Sequence, residues 1–275
     1  MYYETGAPGS GAMPCSLALA KHASGPPTAT VAQYLNDPIG VQAFSAAAGA
    51  DSPLWSFWPE STDMDLSWQL AGSAAAAAPG AVDTVVVQYS NEQFTSEDAN
   101  CTLWGVSTAP NATVFSPLWT ATVPHCDVSL PVGANYGQVR SIAITADGAT
   151  VVASLFLSGS QQVLMGWELA SGKQLFSVPT TGFSYGVELS ADGKWAVVAA
   201  DDGRGGRTAF VYSTATGVQR GDTGCIMAWN APPALSADGA VIASGDQNGM
   251  ILCAWDEGQN AYGAFVRVAM PSRGE

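Results

Sequence analysis

The sequence predicts an all-β fold, a β-propeller of four-stranded antiparallel blades. About five blades are expected in this chain, in a ring that is either complete or open. Three observations carry the prediction. An Ala-Asp-Gly turn recurs at Asp147, Asp192 and Asp238, spaced 45 and 46 residues apart. Each turn joins two apolar runs, and a second hairpin follows, so one period holds four strands, the pattern of propeller blades. Valine, threonine and aromatic residues are interleaved with 30 glycines and 16 prolines, as in short strands joined by tight turns.

The three later units are the clearest. SIAITADGATVVASLFL, GVELSADGKWAVVAA and PPALSADGAVIASGD each read as strand A, turn and strand B. Asp-Gly between apolar runs is a strong hairpin signal, because glycine takes positive φ at no steric cost. Strands C and D follow in VLMGWELASGKQLFSV, TAFVYSTATGVQ and ILCAWDEGQNAYGAFVRV, with Trp167, Tyr212 and Trp255 in equivalent places on strand C.

Two earlier units are more divergent. Segments 66–70, 84–89, 102–107 and 115–123 read as strands A to D of one, with the alanine tract Ala74–Ala78 in its A–B connection. Segments 16–20, 28–35, 41–48 and 53–57 make the other, and SPLWSFW and SPLWTAT match as fourth strands. The expected organisation is an irregular segment 1–14, blades at about 15–60, 64–123, 138–180, 183–224 and 229–270, and a tail 271–275.

LSADGKWAVVAA followed by VYSTATG, with Trp255-Asp256 ending a third strand, resembles the WD-repeat propellers. The fourth-strand pairs Leu54-Trp55 and Leu118-Trp119, and the run from Trp167 to Leu175, resemble quinoprotein-like propellers. The likeness covers residues 138–270 well and 15–123 loosely. It implies stacked blades around a channel, with D–A and B–C loops on one face and A–B and C–D turns on the other. WD repeats carry a Gly-His pair whose histidine joins a network with Ser or Thr, Asp and Trp. Here the histidines are His22 and His125, and neither follows glycine, so that network is not expected.

Hydrophobic residues make up 47% and charged residues 12%, which excludes a disordered chain. A net charge of −14 with scattered lysines and arginines argues against a nucleic-acid partner, which needs a basic stripe. No stretch approaches the roughly 20 apolar residues of a membrane span. The first residues, MYYE, do not read as a signal peptide.

No nucleophile elbow, paired histidines, Cys-x-x-Cys or P-loop occurs, so no cofactor and no catalytic residue is expected. The acidic B–C loops offer Asp201, Asp202 and Asp246 as candidate cation ligands, although Asp, Asn and Gly are also ordinary hairpin residues. The turn aspartates are explained by the turn itself. Cys101 and Cys126 flank a hairpin nearly symmetrically and are a candidate disulfide, whereas Cys253, beside Trp255, reads as a buried apolar residue. Asn100-Cys-Thr and Asn111-Ala-Thr fit the glycosylation pattern, and with the candidate disulfide they favour a secreted or cell-surface setting. At the start of strand A, Arg140, Phe183, Tyr185 and Trp229 form a candidate binding collar near the channel mouth.

Three functions follow as expectations. The first is a non-enzymatic scaffold that binds a protein, peptide or glycan through a loop face. The second is a quinoprotein-like or hydrolytic enzyme with its site at the channel. The third is a structural part of a larger secreted or surface repeat protein, assembled with further blades or another chain.

Overall fold

The computed structural model describes residues 16–33, 40–47, 52–57, 66–90, 100–109, 111–124, 126–127, 142–157, 161–180, 184–201, 207–223, 233–246 and 249–269. Blade 1 is β1 (Ser16–His22), β2 (Thr28–Gln33), β3 (Gly40–Ser45) and β4 (Trp55–Phe57), antiparallel in chain order. Blade 2 starts with β5 (Leu66–Gly72), sends out the short β6 (Ala76–Ala77), and continues with β7 (Thr84–Ser90), β8 (Asn100–Val106) and β9 (Pro117–Pro124). In blade 3, β10 (Cys126–Asp127) and β11 (Ile142–Ile144) pair with β12 (Thr150–Leu157), followed by β13 (Gln161–Glu168) and β14 (Gln174–Thr180). Blade 4 is β15 (Ser184–Leu189), β16 (Trp195–Asp201) and β17 (Arg207–Ser213). After β18 (Asp222–Thr223) comes blade 5, made of β19 (Ala234–Leu235), β20 (Val241–Asp246), β21 (Gly249–Asp256) and β22 (Ala261–Ala269). No helix among the described residues is long and apolar enough to cross a membrane.

The strands run in near-continuous apolar stretches because both faces of an inner blade are covered. Along β7, Val86 points into the cluster with Ala18, Val41 and Trp55 of blade 1. Its neighbours Val85 and Val87 point the other way, into the cluster with Val151, Leu155 and Trp167 of blade 3. Two further clusters join blade 3 to blade 4 and blade 4 to blade 5. The core is therefore a series of inter-blade layers, as expected of a repeat architecture.

Three of the four layers are fastened near the rim by an aromatic ring from the last strand of one blade. Trp55 meets Phe115 of the next blade edge-on, with centroids 5.3 Å apart. Trp119 lies over Gly105 of its own blade and reaches Gly172 of blade 3, where its Nε1–H donates to the Leu169 carbonyl at 2.6 Å. A Cβ at Gly105 would fall 2.1 Å from the indole, and one at Gly172 would fall 2.6 Å from it. Phe176 repeats the arrangement over Gly166 and Gly217.

Two features differ from a plain succession of four-stranded units. The alanine tract was read as a connection only, but β6 pairs parallel with Lys21 and His22 of β1. Methyl side chains let the two backbones approach, so blade 2 clasps blade 1. Blade 4 has a three-stranded sheet whose expected fourth strand is reduced to a Tyr212–Gln219 bridge. Gly217 and Gly221, at φ of 70° and 58°, bend the chain on either side of Val218–Arg220. β18 then pairs parallel with the Ala261–Tyr262 end of β22.

Packing runs β1 against β5, β5 against β11, β11 against β15 and β15 against β19. The described strands of blade 5 make no comparable packing against blade 1. The five blades form an open arc, an incomplete propeller.

Candidate binding site

The A–B turns of blades 3, 4 and 5 share one hydrogen-bond device. The Thr145, Ser190 and Ser236 hydroxyls donate to Asp147, Asp192 and Asp238 at 2.6, 2.6 and 2.7 Å. Each aspartate also accepts a backbone N–H two residues on, from Ala149, Lys194 and Ala240. The glycines take φ of 70°, 73° and 71°. The Ser236 hydroxyl, and then the Ala240 N–H, hold the exposed Asp238 carboxyl below its ordinary pKa. These carboxylates are occupied by the turns.

On the same face, a concave site opens between blades 1 and 2. Its cavity is about 320 Å³, lined by His22, the Ser24–Pro26 turn, Ala77, Pro79, Ala109 and Asn111. That volume is at the small end of the range for ligand sites. The wall is mostly methyl, methylene and pyrrolidine surface, with an imidazole and a carboxamide as its main polar groups.

Beneath this wall lies a buried polar network. Asp83 is 1% exposed, and its carboxylate accepts the Thr108 N–H at 3.0 Å and the Thr108 hydroxyl at 2.8 Å. His22 Nδ1 is 3.5 Å from Asp83 Oδ2, and His22 Nε2 is 2.8 Å from Thr28 Oγ1. The Thr28 hydroxyl donates to the Thr108 carbonyl at 2.9 Å, which uses its one hydrogen. His22 Nε2 is therefore the donor to Thr28. Burial raises the Asp83 pKa above its ordinary value, against the lowering effect of the Thr108 hydrogen bonds and His22. The network ties the first hairpin of blade 1 to the B strand and C–D turn of blade 2.

A second cluster joins blades 4 and 5. The Arg220 guanidinium sits 4.4 Å from the Trp195 ring centroid and 4.3 Å from that of Trp255. It donates to the Gly239 carbonyl at 3.0 Å and to Tyr262 Oη at 3.3 Å. Arg220 holds the strand position that Trp119 and Phe176 hold in blades 2 and 3, opposite Val211 instead of a glycine. The cation therefore acts as an inter-blade rivet. Arg220→Lys, which loses the planar stack and the fork of donors, is expected to cost about 1–2 kcal/mol in urea unfolding. An unchanged midpoint would refute the rivet.

Of the residues singled out from sequence, Arg140, Phe183, Trp229 and Asp202 lie outside the described residues. Tyr185, Asp201 and Asp246 fall in β15, β16 and β20, but their side chains are not described. Among the described residues, no group of three or more His, Cys, Asp or Glu is placed to hold a metal. Cys101 and Cys253 are both disulfide-bonded, so Cys253 is not the simple apolar core residue expected. Cys126 lies in β10, which packs beside β8, with its side chain outside the described set. Asn100 and Asn111 are both exposed.

Sequence reasoning missed the His22–Asp83 network. His22 does not follow glycine, so it lacks the marker of the known propeller network, and 61 positions separate it from Asp83. The usable signal was an aspartate immediately before the apolar run Thr84–Val87, where a carboxylate enters a core and must find donors.

No protein-family model and no curated protein matches the sequence. Solved structures do match in fold. The Dos1 propeller aligns over 93% of this chain and 60% of its own, at 15% identity and a TM-score of 0.55. Sqt1 from Chaetomium thermophilum aligns over 94% of this chain and 62% of its own, at 15% identity and 0.54. A functionally unknown protein from Desulfotomaculum acetoxidans aligns over 86% and 68%, at 12% identity and 0.50. The chain thus spans less than two thirds of the Dos1 and Sqt1 chains. Inter-blade layers, repeated turns and these likenesses together establish a propeller-type repeat fold, present here as a five-blade arc.

Proposed function

We propose that the chain is a non-enzymatic propeller scaffold that binds a protein, peptide or glycan through its turn face. The observation that carries this reading is the mainly apolar cavity between blades 1 and 2, set on a hydrogen-bonded base. An apolar recess whose imidazole is already held by Thr28 and Asp83, with the Asn111 carboxamide at its edge, suits an inserted apolar side chain or short segment, with little ordering cost to the scaffold. The collar of Arg140, Phe183, Tyr185 and Trp229 is proposed as a second contact surface at the start of the A strands. Cys126 is proposed as the partner of Cys101, supported by the packing of β10 beside β8. With the exposed sequons, this bridge supports an oxidising compartment.

The test is a peptide-display selection against the purified chain, with affinities measured for the chain and for Ala77→Arg. Ala77 pairs through its backbone, so the substitution fills the cavity without removing a hydrogen bond. Selected peptides are expected to bind with Kd of about 10–100 µM and to lose at least about tenfold on Ala77→Arg. Equal affinity for both proteins would refute the cavity as the binding site.

A further inference from the structure

Among the described residues, the two ends of the arc each leave an apolar sheet face with no blade packed against it. On blade 1, Ala18, Thr30 and Val41 face blade 2, so the alternate residues of the same strands face outward. Leu17 is 39% and Leu19 61% exposed, and Val31 and Phe44, of the same outward parity, are half-buried. On blade 5, Ile242, Cys253 and Tyr262 face blade 4. The opposite parity carries Met250 and Val266, 40% and 41% exposed, with Val241, Leu252 and Ala254 half-buried.

These faces are the two halves of one interface that the fold already uses four times. Counted from the turn aspartates, Val241 and Ala243 occupy the places of Trp195 and Val197, which bury blade 5 against blade 4. By their cross-strand partners, Met250 and Leu252 occupy the places of Ala209 and Val211 in that same layer, and Ala254 that of Ser213. The outward face of blade 1 corresponds to the face of blade 2 that carries Leu70 and Val86 against blade 1. Blade 5 thus presents the half that receives a following blade, and blade 1 the half that receives a preceding one. Among the described residues the chain does not join them itself, since the strands of blade 5 make no packing against blade 1 comparable to the internal layers.

We propose that blade 5 of one copy docks on blade 1 of a second copy, making a head-to-tail assembly in solution. A second copy is favoured as occupant because it carries both halves in the register of the internal layers. Head-to-tail contacts of this kind close into a ring or run on as an open chain, according to the rotation at the joint. The proposal uses the sheet faces and is independent of the turn-face cavity.

The experiment is light scattering after size exclusion on the chain and on Leu19→Asp and Leu252→Asp. The wild-type chain is expected at twice its 28.2 kDa mass or more at about 100 µM. Each variant alone is expected to associate at least about tenfold more weakly. Mixing the two should restore a one-to-one dimer, since the Leu19→Asp copy retains a sound blade 5 and the Leu252→Asp copy a sound blade 1. Leu17→Gln and Met250→Gln repeat the test with milder changes, and circular dichroism confirms that each variant is folded. A monomeric wild-type chain at that concentration would overturn the proposal and leave blades of another polypeptide as the occupant. Failure of the folded variants to recover the dimer on mixing would overturn the head-to-tail geometry.

Discussion

Trp119→Ala is expected to destabilise the chain by about 3–5 kcal/mol, the range for truncating a large buried aromatic. The indole is 8% exposed and fills the space above two glycines in different blades, Gly105 and Gly172. Removing it leaves a void that neither glycine can fill and orphans the Leu169 carbonyl. Trp119→Phe restores most of the volume but not the hydrogen bond, so its cost should be about 1–2 kcal/mol. The pair separates packing from polar contribution in urea unfolding followed by circular dichroism. A loss under 1 kcal/mol for the alanine variant would show that the layer between blades 2 and 3 does not depend on this ring. Gly105→Val tests the same contact from the other side, since its side chain would have to displace the indole.

Asp83→Ala is the second large expected effect, at about 3–5 kcal/mol, because it breaks a buried charge-assisted network by removing one partner. The Thr108 N–H and hydroxyl lose their acceptor together, and His22 Nδ1 loses the carboxylate 3.5 Å away. Asp83→Asn keeps one acceptor oxygen and should cost less, about 1–3 kcal/mol. The same residue makes a pH prediction. Its folded-state pKa is raised from the ordinary 3.8, with burial as the largest cause. A raised carboxyl pKa means the folded chain keeps a proton that the unfolded chain has released. Its stabilising contribution is therefore fully present below 3.8 and is lost as pH rises through the raised value. The stability advantage of the wild-type chain over Asp83→Asn should be greatest at the acid end of that window and narrow as pH rises. Urea midpoints of both proteins across the window provide the check. An advantage that widened with pH would contradict the assignment.

The three Ala-Asp-Gly turns were legible because their determinants lie within six residues. Serine or threonine, aspartate and glycine close the turn with local hydrogen bonds, whatever packs outside it. The same locality explains why blade 4 was misread at its end. The segment after Gly217 has strand-like residues, but the bend at Gly221 and the competing edge of β22 draw Asp222 and Thr223 away. β-Propensity does not decide which edge a strand joins, because pairing depends on neighbours distant in sequence.

The sequence by itself determined the all-β class, the period, the turn chemistry and the two-sided apolar strands that make stacked layers. Period-two burial and positive-φ glycines are written in adjacent residues. Only the tertiary structure decided that His22 meets Asp83, that Arg220 replaces an aromatic ring between two tryptophans, and that the arc is open. Each of these depends on groups brought together across blades, tens of residues apart. There, burial turns an unremarkable histidine, aspartate or arginine into a structural element by removing water as its alternative partner.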